Sequence, residues 1–143
     1  MRQHLLKSIL IVAGESSCVL DLADGRLDGQ VKQRVSAGTK IDDETLSKNV
    51  IIVEIQHQAN DDDSASFAVE QWLKKHSTIL NECEADKTLE FQTDLQPEDG
   101  SRILTLPSTL IQIAADLRLS LANQAIKVLT DDEYIAMRRS NNR

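Results

Sequence analysis

Ala65, Val69, Trp72, Leu73, His76, Ile79, Leu80 and Cys83 recur at helical spacing. At 100° per residue they fall within one arc about 120° wide, while Lys74, Lys75 and Glu70 fall outside it. A single helix over 64–83 with one apolar stripe needs a flat apolar surface to bury that stripe, and the upstream sequence offers one. Val50 to Gln56 (VIIVEIQ) and Ser8 to Ala13 (SILIVA) are short, β-rich and continuously apolar, as interior strands are. The chain therefore reads as helices laid on a sheet.

The remaining elements follow from local signals. Four of the five glycines lie within 14–38, which suggests a β- and turn-rich region over about 1–60. Cys18 to Leu22 fits strand or helix. Asp24-Gly25 and Asp28-Gly29 are turn dipeptides, and Val31 to Ser36 reads as an edge strand carrying Lys and Arg. Leu89 to Leu95 alternates with period 2. Pro97 to Gly100 then turns the chain, and Ile103 to Leu106 returns it, giving a hairpin over 88–106. A helix begins near Pro107 with Leu110, Ile113, Ala114 and Leu117 on one face. Leu121 to Leu129 fits a last strand better than a helical extension. Thr130 to Glu133 matches a capping box that would open a terminal helix to about Arg139. The expectation is one α+β domain over 1–143. It would hold a single mixed or antiparallel sheet of about five to six strands, with two to three helices packed on one face.

With 143 residues the chain is long enough for one core, and with aromatics at 3% that core rests on Leu, Ile, Val and Ala. No apolar run approaches the roughly 18 residues that span a bilayer. The first residues lack the pattern of a cleaved leader, so the expected compartment is the cytoplasm. Cys18 and Cys83 would pair under oxidising conditions; in a cytoplasmic protein they are expected as two reduced, mostly buried thiols.

From Val50 onward the order is strand, long helix, hairpin, helix, strand. With ILTLPSTLIQIAADLRLSL (103–121) this order resembles a family of small bacterial α+β domains of unknown function. Some of its members are immunity-type proteins that bind and block a toxin. The resemblance lies in apolar spacing and carries over no functional residue. It implies a non-enzymatic role in binding another protein.

Charge points the same way. The net charge is −7, and residues 42–70 hold eight acidic groups and only Lys48. A second acidic stretch runs from Glu82 to Asp99. Such a field repels nucleic acid phosphates and anionic membranes and attracts basic partners. The candidate interaction residues are Asp42, Asp43, Glu44, Asp61, Asp62 and Asp63. The aspartates of HQANDDDSASFA (57–68) have a plainer use as well. Asp63 or Ser64 is placed to cap the following helix, and the others favour the positive end of its dipole.

Other chemistries fit less well. Gly14-Glu15-Ser16-Ser17-Cys18 follows a strand like a GxSxG nucleophile elbow, but Cys18 stands where the last glycine is needed. A small hydrolase would pair Ser16 with His57 or His76. The zinc-capable residues His57, His76, Cys18 and Cys83 share no ligand spacing, since His76 and Cys83 lie two helical turns apart. The Asp61–Asp63 run lacks the Gly and Glu of a calcium loop. No catalytic residue, metal ligand or cofactor is assigned. The leading expectation is an acidic, cytoplasmic interaction domain that binds a basic protein surface, and its rival is a homodimer or other homo-oligomer.

Overall fold

The structure is a computed structural model that describes residues 5–57, 61–94, 105–126 and Ile135. Its centre is β1 (Leu5–Gly14), which pairs antiparallel with β5 (Asn49–Ile55) on one side and β6 (Asp86–Asp94) on the other. β2 (Gln30–Val35) lines β5 as one edge, and β7 (Leu119–Ile126) runs parallel to β6 as the other. The order is β2–β5–β1–β6–β7, a mixed five-stranded sheet, and β3 (Lys40–Ile41) with β4 (Glu44–Thr45) forms a separate ribbon. The fold class is α+β.

Alternation decides which face is covered. Leu10, Val12, Ile51, Val53, Leu89 and Phe91 all point to one face and are buried. The helices supply Val19 and Leu22 from α1 (Cys18–Asp21) and the turn after it. They add Val69 and Leu73 from α2 (Asp62–Lys75), Leu80 from α3 (Ser77–Glu82), and Leu110 and Ala114 from α4 (Ser108–Asp116). These residues form one core with that sheet face.

Two expectations about the helices are corrected. The single helix over 64–83 is two helices, because His76 leaves helical geometry at φ −104° and ψ 13°. There its ring is held by Trp72, whose centroid lies 4.7 Å away, and by the Asp28 backbone. The buried side of α2 is also wider than one arc, since Ser66 and Glu70 are buried too. The helix packs on the sheet and beside α4 at once, and a periodicity reading counts only the first neighbour.

The expected hairpin over 88–106 does not form at β6. Both long sides of β6 are occupied, by β1 and by β7, so no edge is left for a return strand. Thr105 and Leu106 lie outside any strand, and residues 95–104 are outside the described residues. Instead α4 carries the chain to β7, a parallel crossover of the kind that needs a helix. The capping box at 130–133 and the terminal helix fall outside the described residues, Ile135 excepted.

Candidate protein-interaction surface

One end of the sheet is where β1 finishes and where β5 and β6 begin. Three local features fix it. A side chain on Gly14 would put its Cβ 2.9 Å from the Cβ of Ala85, so only glycine lets the α3–β6 turn close over β1. Buried Asn49 accepts from Ala37 N–H at 2.7 Å and donates to the Glu15 and Ser16 carbonyls at 3.3 and 3.1 Å, tying two loops to the start of β5. Cys18 and Cys83 are joined by a disulfide between α1 and the end of α3, with Cα atoms 5.7 Å apart. This corrects the expectation of two reduced thiols. Residues 65 positions apart in the chain meet because both follow elements that end on the same sheet rim.

These ties frame an open cleft of about 700 Å³ lined by Glu15, Ser16, Lys48, Glu82, Glu84 and Asp86, with Cys18 at its wall. All four carboxylates are exposed. The single lysine pairs with one of them, Lys48 Nζ lying 3.3 Å from Asp86 Oδ2.

The six acidic residues expected to act together are split. Asp42 and Asp43 take left-handed φ values of 49° and 69° at the tip of the β3–β4 ribbon, which Asp tolerates better than most residues. They and Glu44 are exposed. Gly38 N–H to Leu46 O at 2.8 Å closes the base of the ribbon, and Ala37 N–H to Asn49 Oδ1 holds that base at the same end as the cleft. Asp61, Asp62 and Asp63 follow β5 at its far end, roughly 20 Å away for a seven-residue strand.

There two of the three serve the fold. Asp61 accepts from Ser64 N–H at 2.8 Å as the cap of α2, a role expected of Asp63 or Ser64, and that bond holds its carboxyl below the ordinary aspartate pKa. Asp62 Oδ1 accepts from Leu5 N–H at 2.8 Å and fastens α2 to the start of β1. Asp63 is exposed in the first helical turn. Among the residues that now join Asp42, Asp43 and Glu44, Glu15 was hidden within an apparent nucleophile motif. Glu82, Glu84 and Asp86 were visible only as the opening of the second acidic stretch.

Ser16 Oγ accepts from Cys18 N–H at 3.2 Å, a local turn bond, and no histidine stands among the described residues of its cleft. His57 lines a different cleft of about 520 Å³ with Lys7 and Glu54, at the far end of β5. Both its ring nitrogens are enclosed without a hydrogen-bond partner among the described residues, and burial lowers its pKa against the pull of Glu54. His76 is buried, and burial outweighs the nearby Asp28 carboxylate to lower its pKa as well. Lys87 sits on the covered face below the α4–β7 turn. Burial, then the neighbouring Arg118, lowers its pKa. Among the described residues no group of three or more His, Cys, Asp or Glu is placed to hold a metal, and no helix is long and apolar enough to cross a membrane.

Comparison with protein families, with characterised proteins and with solved structures finds no match for this chain. Fold and surface are therefore what any functional reading rests on.

Proposed function

We propose that this is a non-enzymatic binding domain whose acid-rich sheet end docks a basic protein surface, as an immunity or inhibitor protein does. One observation carries the reading. Elements distant in sequence bring Glu15, Glu82, Glu84 and Asp86 to a single cleft braced by a disulfide, with the Asp42–Glu44 tip projecting from the same end. A rigid carboxylate array of this kind raises the rate of encounter with a Lys/Arg-rich surface, and the concavity gives that surface a shape to match. Asp61 and Asp62 are not part of it, since their carboxylates hold α2.

The test is a comparison of the native chain with a variant carrying E15Q, E82Q, E84Q, D42N and D43N, all exposed positions. Each is used to capture proteins from the producing cell, and the association rate of the captured protein is then measured at low and high salt. The expected result is a basic partner that associates about tenfold or more slowly with the variant at low salt, the difference shrinking as salt rises. Equal association rates at low salt would overturn the reading.

A further inference from the structure

The two edges of the sheet are built differently. β2 carries Lys32 and Arg34, and its register against β5 shifts between Val31 and Gln33. Charges and an irregularity are what keep a second strand from adding to an open edge. β7, LSLANQAI, has neither. None of its eight residues is charged, none is proline, and its register with β6 runs without a break from Leu119 to Ile126. Its outer side has no strand partner among the described residues, and Ser120, Leu121, Asn123, Gln124 and Ala125 are exposed. Leu121 is 42% exposed, as is Ile111 at 46% on α4, the helix that packs against β7.

We propose that β7 is a self-association edge at which a second copy of this chain adds its own β7 antiparallel, continuing the five-stranded sheet into one of ten strands. An uncharged, unbroken edge strand is itself the strand that fits such an edge, and charge limits where two copies can meet. A basic peptide would find no carboxylate on β7 to pair with. A second copy carries the same net charge of −7 and is repelled almost everywhere. An uncharged strip about 27 Å long, eight residues at roughly 3.4 Å each, is where two such chains can meet.

Direction helps further. The acid-rich end lies at the Leu119 end of β7, because β6 and β7 both start there. Antiparallel pairing therefore sends the two acidic ends in opposite directions. A two-fold axis through Ala122, perpendicular to the sheet, keeps both helix layers on one face and sets Leu121 of one copy opposite Asn123 of the other. Strand pairing satisfies backbone groups, while a stable interface also needs roughly 1,000 Å² of buried surface. Leu121 on the edge strand supplies apolar area toward it. This surface is separate from the acidic cleft, so either reading can fail without the other.

The native chain is followed by sedimentation from micromolar to near-millimolar concentration, beside L121K/N123K and the opposite-edge control K32Q/R34Q. A monomer–dimer equilibrium is expected, weakened by about tenfold or more in L121K/N123K and unchanged in K32Q/R34Q. In a separate arm A122C, two-fold related across the proposed axis, should yield a covalent dimer on mild oxidation. A native chain that stays monomeric throughout overturns the proposal. So does a dimer indifferent to the β7 lysines, or an A122C chain that oxidises to no dimer.

Discussion

At the residue scale the buried polar side chains are the informative ones. His76 Nε2 accepts from Asp28 N–H at 3.3 Å, Trp72 Nε1 donates to Asp28 O at 2.9 Å, and Lys75 pairs with the Asp28 carboxylate. Only neutral imidazole can accept that amide proton, so the fold favours the uncharged ring, in line with its lowered pKa. The sign follows from that direction. The contribution of His76 to stability is complete above its unfolded pKa near 6.5 and is lost as pH falls from there through the lower folded value. Urea midpoints should therefore hold from pH 7.5 to about 6.5 and drop as the pH falls further. H76Q, whose amide oxygen still accepts but does not titrate, should flatten part of that slope, and H57Q another part, since burial lowers the His57 pKa also. An H76Q chain with the full native slope would show that the Asp28 contact is incidental. Asp28, lowered chiefly by its bond to Lys75, titrates in a separate and more acidic window.

At the element scale α2 shows how a strong periodicity can fix an element and still mislead about its ends. Its apolar stripe was plain, and so was the run of aspartates ahead of it. Which aspartate caps it was not, because that depends on which one the backbone leaves in extended geometry. Asp61 has φ −146° and ψ 166° and receives Ser64 N–H, whereas Asp63 already lies within the first helical turn. D61A should cost about 1 kcal/mol of unfolding free energy, and D63A only a few tenths. Denaturant titration of the two single variants decides between them, and equal losses would remove Asp61 from the cap. The break at His76 and the missing hairpin have a common origin. Each was decided by a partner from elsewhere in the chain, Asp28 in one case and β7 in the other.

At the scale of the whole molecule the disulfide is the largest single constraint. It closes a loop between Cys18 and Cys83, separated by 65 residues, and joins the α1 side of the cleft to the α3 side. Reducing it should cost roughly 2–5 kcal/mol, mostly by freeing the unfolded chain. A thermal melt with and without reductant measures this, and the C18A/C83A chain should match the reduced protein. An unchanged melting temperature would mean that the bond contributes nothing to the fold. A chain that melts earlier when reduced should also present its acidic end less rigidly, which links compartment redox to the proposed binding.

The sequence by itself determined the interior strands at SILIVA and VIIVEIQ, the Lys/Arg-bearing edge at β2, the helix near Pro107 and the strand after it. All of these are written in local spacing, where neighbours in sequence are neighbours on a face. It also determined that the chain is acidic and where the acids lie along it. Only the tertiary structure decided where they lie in space. A window of eight carboxylates that looked like one patch is threaded along a strand about 20 Å long, so its two halves emerge at opposite ends of the sheet. Glu15 and Glu82, far apart in sequence, share one cleft instead. Charge density along a chain is a one-dimensional quantity. Which charges share a surface depends on strand direction and pairing order, and those are fixed only when β1 takes β5 on one side and β6 on the other.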